Sequence, residues 1–182
     1  MRVLGIDPGS NITGFGVVDR DGGQVRHVAH GNLPLTRTHT LPTRLYELHE
    51  LLLDVIERYE PDVAAVEQVF VAASARSALV LGQARGAVLA ALGSRGVIVT
   101  EYPPSQIKQA VTGSGRATKK QVQSMVRRLL ELAKLPAQDS ADALAAAICH
   151  AQAGKLAALG VAPASRRGRS RRGLSVAVRP VR

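Results

Sequence analysis

The sequence predicts an α/β fold, a mixed five-stranded sheet with helices on both faces. Strand-like runs at residues 3–6, 14–18 and 25–33 follow one another with only turn residues between them, which makes an antiparallel meander. Apolar residues at helical spacing then alternate with short buried-strand runs, the pattern of strands joined by helical crossovers. At 182 residues the chain has room for one such domain with a single core.

Each element follows from its residues. Val3, Leu4 and Ile6 form an apolar strand that ends on Asp7, where Pro8-Gly9 turns the chain. "DRDGGQ" joins the second and third strands as a hairpin. Leu41, Leu45, Leu48, Leu52, Val55, Ile56 and Tyr59 recur at helical spacing, giving a long amphipathic helix that stops before Pro61. "DVAAVE" is the fourth strand and ends on Glu67; residues 77–92 form a small-residue helix; "VIVTEY" is the fifth strand, punctuated by Pro103-Pro104. Thr118 and Gln121 make a T-x-x-Q capping box for a helix whose buried face is Val122, Met125, Val126 and Leu129. Pro136 breaks the chain, and residues 139–153 form the last helix. Beyond Gly160 little remains to bury, and the Arg, Ser, Gly, Pro and Ala there predict disorder. The expected division is a folded domain over 1–156 and an Arg-rich tail over 157–182.

Composition excludes several classes. Cys149 is the only cysteine, so a disulfide framework and a cysteine zinc site are ruled out, and its apolar helical run predicts a core residue. No basic-then-apolar leader opens the chain, and no uninterrupted apolar run approaches the ~18 residues of a membrane span. We therefore expect a soluble, cytoplasmic protein. The net charge of +10 is unevenly spread: residues 155–182 hold eight Lys/Arg and no acid, leaving 16 basic against 14 acidic residues in the first 154. Residues 106–134 add a second basic stretch, seven Lys/Arg against Glu131 alone. Both suit a polyanion partner.

Asp7 and Glu67 each end a strand, and functional side chains in α/β sheets gather at the carboxyl ends of strands. If those strands are parallel neighbours, the two carboxylates share a crevice. Asp139 and Asp142, three apart at a helix start, point to one face. Singly, each has an ordinary explanation as a turn residue, a helix cap or a first-turn charge. Together they repel one another unless cations neutralise them. Oxygen-only ligands suit Mg²⁺, or Mn²⁺ in its place, and two such ions about 4 Å apart can drive phosphodiester hydrolysis.

The stretches "GIDPGSNITGFGVV", "AVEQVF", "LGQARG" and "DSADALAAAICH" resemble, in this order, the four signature stretches of the RuvC family of Holliday junction resolvases. The resemblance covers residues 1 to about 154. It implies an RNase H-like fold, a homodimer, and Mg²⁺-dependent nicking of two opposed strands at a four-way DNA junction, in company with the RuvA–RuvB branch-migration complex. The family's acidic residues fall on Asp7, Glu67, Asp139 and Asp142, and its lysines on Lys108 and Lys119. On this reading Lys119 stabilises charge gathering on the phosphoryl oxygens, against its ordinary reading as a solvated first-turn lysine. Phe70, three residues after Glu67, has two readings, a core Phe or a wedge or stacking platform for a base unstacked near the junction. Arg76 and Lys120 are candidate phosphate contacts, and the small-residue helix at 77–92 is either the dimer face or a helix buried within one subunit. The Arg-rich end is outside the resemblance.

Other classes remain in competition. The first stretch also resembles the phosphate-binding hairpin of sugar and acetate kinases, which need two such domains and about twice this length. A non-catalytic basic DNA-binding module explains the tail but not four convergent acids. A ribonuclease H acting on RNA–DNA hybrids shares the metal chemistry.

Overall fold

The computed structural model describes residues 1–68 and 74–158, with side chains through Ala153. Phe70 and the tail beyond Ala158 lie outside the described residues. β1 (Arg2–Asp7), β2 (Ile12–Asp21) and β3 (Gln24–Pro34) form the expected antiparallel meander, with Gly22 supplying the positive φ of 56° that the tight β2–β3 turn requires. α1 (Leu41–Tyr59), β4 (Val63–Glu67), α2 (Ala75–Ser94) and β5 (Ile98–Tyr102) follow, then α3 (Pro104–Thr112), α4 (Lys119–Leu129) and α5 (Gln138–Ala158). The sheet order is β3-β2-β1-β4-β5, with β4 parallel to both β1 and β5. This is the mixed five-stranded sheet the sequence predicts.

The pleat sends alternate residues to opposite faces. Leu4, Ile6, Ala64 and Val66 meet Leu48, Leu52 and Ile56 of α1 and Val88 of α2 on one face. Val3, Val63 and Ala65 meet α3, α4 and the Ala-rich α5 on the other. Small residues on both sides bring α5 unusually close. A Cβ added at Gly5 would lie 1.9 Å from the Ala143 carbonyl oxygen, and one at Gly14 would lie 2.0 Å from that of Asp139. Glycine there is a packing requirement. Cys149 is buried in this same layer, as its sequence context predicts.

Three details differ from the sequence reading. α3 was not anticipated. It opens on Pro104, buries only Ile107 and Val111, and closes on Gly113 at φ 78°. In α4 the Thr118–Gln121 capping box forms as predicted and Val122 and Val126 are buried, but Leu129 is 41% exposed. The helix ends there, and Leu130 turns into the core instead. α5 begins at Gln138 and runs to Ala158, so Asp139 lies inside its first turn rather than capping it.

Candidate active site

Parallel pairing of β1 with β4, in register at Ile6↔Val66, sets Asp7 and Glu67 side by side at the carboxyl edge of the sheet. Asp7 also faces Gly14 across the β1–β2 ladder. Because Gly14 has no side chain, the first turn of α5 rests directly above it, which carries Asp139 and Asp142 to the same edge. The fold thus brings four carboxylates from three elements to one edge of the sheet.

Asp7, Glu67 and Asp142 line a cavity of about 280 Å³ whose other wall is Pro104, Ile107 and Lys108 of α3 with Lys119 and Val122 of α4. Asp139 flanks it, close enough to raise the pKa of both Asp7 and Asp142. The Lys119 ammonium stands 3.5 Å from Asp142 Oδ2. Arg76, in the exposed first turn of α2, and Lys120, on the outer side of α4, are not in this cavity.

The electrostatics are those of crowded acids. Burial, then the charges of Glu67 and Asp142, push the Asp7 carboxyl up to about 8. Burial raises Glu67 as well, with Asp142 adding to it and the two lysines opposing. Asp142 is raised although Lys119 pairs with it, because its side chain is only 16% exposed while that of Lys119 is 63% exposed and shares its charge with solvent. The lysines therefore only partly compensate the acids. Among the described residues, no three His, Cys, Asp or Glu side chains close tightly enough around one point to hold an ion as they stand. The donor set is nonetheless all carboxylate oxygen, half-buried and short of positive charge, which fits a hard divalent cation in kind.

The turn after Asp7 has supports that sequence reasoning missed. Thr13 is fully buried; the Gly9 N–H donates to its Oγ1 at 3.2 Å, and its hydroxyl donates to the Gly9 carbonyl at 3.3 Å. Arg44, reaching over from α1, donates to the Ser10 carbonyl and, at 2.9 Å, to Asn11 Oδ1. A helical arginine more than thirty residues downstream gives no local signal of this role.

The family described as "Crossover junction endodeoxyribonuclease RuvC" matches residues 3–150. A RuvC of Burkholderia thailandensis is 52% identical over 166 residues, covering 90% of this chain and 92% of its own length. One from Geobacter sulfurreducens is 52% identical over 151 residues, covering 83% and 92%. Among solved structures, Thermus thermophilus RuvC superposes with a TM-score of 0.77 at 36% identity, covering 88% of this chain and 98% of that one. The same protein in complex with a Holliday junction substrate gives 0.77 at 34% identity over the same shares. A yeast mitochondrial Holliday junction resolvase, 15% identical with a TM-score of 0.61 over 82% and 77%, shares the fold, which is RNase H-like. Family profile, curated relatives and backbone agree over nearly the whole described chain: it belongs to the RuvC family of crossover junction endodeoxyribonucleases.

Proposed function

We propose that Asp7, Glu67, Asp139 and Asp142 hold the divalent cations with which this metal-dependent endonuclease nicks two opposed strands of a four-way DNA junction, in recombination and repair. The observation that carries this is the convergence of Asp7, Glu67 and Asp142, from β1, β4 and α5, on one small cavity with Lys108 and Lys119 in its wall. Two Mg²⁺ ions, or Mn²⁺ in their place, suit the oxygen donors. When bound they supply the charge that activates a water and stabilises the leaving oxygen. The chain's own part is orientation and charge. The carboxylates fix where the cations sit relative to the sheet edge. Lys119, long and largely exposed, can leave Asp142 for a phosphoryl oxygen as charge gathers there. Lys108 and Arg76 hold flanking phosphates, and Phe70 wedges an unstacked base. The tail past residue 158 adds non-selective phosphate contact, in keeping with its seven arginines.

One preparation assayed on a four-way junction, a linear duplex and an RNA–DNA hybrid tests this reading. Paired nicks at the junction are expected with Mg²⁺ and none in EDTA. Faster cleavage of the hybrid would make the protein a ribonuclease H, and nicking in EDTA would remove the metal from the mechanism.

Two opposed nicks require two such cavities, hence a homodimer. α2 is the proposed face. By length and composition this helix is apolar enough to cross a membrane, yet only 22% of its most apolar window is buried within the subunit. Arg76, Gln83 and Arg85 interrupt it, and Leu79 is 64% exposed beside Gly82 and Gly86, above which there is open space. Such a face in water calls for a partner, and its small residues let a second copy approach closely. Leu79→Asp is expected to yield monomers in sedimentation and to replace paired nicking with single, uncoupled nicks. A variant that stays dimeric would move the interface elsewhere. Work with the RuvA–RuvB complex in the cytoplasm completes the proposal.

A further inference from the structure

We propose that residues 174–178 of this chain dock as an added strand on the outer edge of β3, in a groove between that strand and the loop joining α4 to α5. β3 stands at one end of the sheet, and among the described residues its outer side takes part in no backbone hydrogen bond. The groove has a volume of about 1120 Å³, with Gln24, Val25 and His27 of β3 on one side and Leu129, Leu132 and Leu135 on the other. Leu129 is 41% exposed and Leu135 50% exposed, so two leucines face water beside an unpaired strand edge. An exposed leucine alone needs no explanation. Here a strand with one apolar side would complete the ladder and cover the leucines at once.

Sequence, length and position pick out the occupant. The Arg-rich tail has one strand-like stretch, "LSVAV" at 174–178, where Leu174, Val176 and Val178 alternate with Ser175 and Ala177. Gly173 and Pro180 bound it. The edge it would meet is equally short. β3 pairs regularly with β2 from Gln24 to His27, then slips at Val28, since Val18 pairs with His27 and Val17 with Ala29. The tail also leaves the fold at the matching end. Gly14 meets Asp139 and Gly16 meets Leu144, so α5 runs alongside β2 toward the β2–β3 hairpin. Val25 packs against the cluster that holds Cys149 and Ala151 of α5. Fifteen residues separate Ala158 from Leu174. Extended, they reach up to about 50 Å, more than the roughly 30 Å across a small domain. Tethering at that range supplies a millimolar effective concentration, so weak docking is enough. The five arginines from Arg166 to Arg172 are then carried in a loop anchored at both ends.

Hydrogen exchange on the full chain, without DNA or metal, tests this independently of the nuclease reading. In the double variant Val176→Ser, Val178→Ser, which leaves the charge unchanged, amides of residues 24–30 should exchange roughly three- to tenfold faster than in the wild type. Val176→Ile should keep the wild-type protection. Leu135→Asp, at an exposed position on the groove side, should release the same amides. Unchanged exchange in β1 and β4 would show that the fold is intact in each variant. Whose tail is docked is read by joining Leu135→Cys to Val178→Cys with a short bis-maleimide, Cys149 being buried. The expected product is an intrachain link that migrates as a monomer. A covalent dimer would mean that the tail serves a second copy, and absence of any link would mean that the segment is not at the groove; either result overturns the proposal. So would equal exchange of residues 24–30 in the wild type and the double variant.

Discussion

Asp7→Asn, and separately Glu67→Gln, should lower junction nicking by about a thousandfold or more, some 4 kcal/mol of transition-state stabilisation, while junction binding in EDTA stays near the wild-type value. Either change removes one charge from the carboxylate group proposed to hold the metal but spares the lysines and arginines proposed to meet phosphate. Near-normal nicking by either variant at limiting Mg²⁺ would show that these carboxylates do not form the metal site. Stability supplies a second readout. Burial, Glu67 and Asp142 raise the folded-state pKa of Asp7 to about 8. A carboxyl raised in this way contributes stability that is full below its ordinary value near 4 and is lost as pH rises through about 8. The metal-free wild type should therefore weaken as pH climbs from 4 to 9, and Asp7→Asn should weaken less. In EDTA at pH 9 the variant should melt above the wild type, and the two should converge at pH 4. Added Mg²⁺ should raise the wild-type melting temperature at pH 8 and the variant's far less. A variant that melts below the wild type at pH 9 would mean that Asp7 is not held at a charge-crowded site.

The strand-end acids were legible because apolar runs that close on Asp7 and Glu67 are unusual enough to ask for a reason, and β1 and β4 proved to be parallel neighbours. The course of α5 was not. The helix itself could be read from "DSADALAAAICH", but the glycines that accept it belong to β1 and β2, and nothing local links Gly14 to Asp139. In sequence Asp139 fits a helix cap, a first-turn charge or a ligand; in the structure the helix begins at Gln138 and Asp139 lies in its first turn. α3 escaped notice because nine residues with two buried apolar positions carry too little periodicity beside a Pro-Pro pair. Pro at its first turn and Gly113 just past its end were the usable signals. The basic stretch at 106–134 was visible as charge. Its division into lysines that face the carboxylates and cations that lie outside that cavity depends on how α3 and α4 pack, which charge counting does not show.

Gly14→Ala is expected to couple fold and chemistry most directly. The added methyl would lie 2.0 Å from the Asp139 carbonyl oxygen, 2.3 Å from its carbon and 2.9 Å from the Ser140 nitrogen. All three are backbone atoms, so no side-chain rotation relieves the contact; either β2 or the first turn of α5 must move. Overpacking of this kind costs about 1–3 kcal/mol, and at this size each kcal/mol lowers the melting temperature by roughly 2–4 °C. The activity loss should exceed what the melt explains. The displaced turn carries Asp139 and Asp142, whereas Asp7, opposite Gly14 in the ladder, stays with the sheet. Separating the two halves of the carboxylate group should weaken metal binding, so nicking should fall well below wild type at temperatures where the variant is fully folded, and rising Mg²⁺ should recover part of it. Gly5→Ala offers the comparison, because its methyl meets Ala143 and Ala147 farther along α5. It should cost similar stability with less demand for extra Mg²⁺. Full nicking by folded Gly14→Ala at limiting Mg²⁺ would mean that the seating of α5 on β2 does not set the metal site.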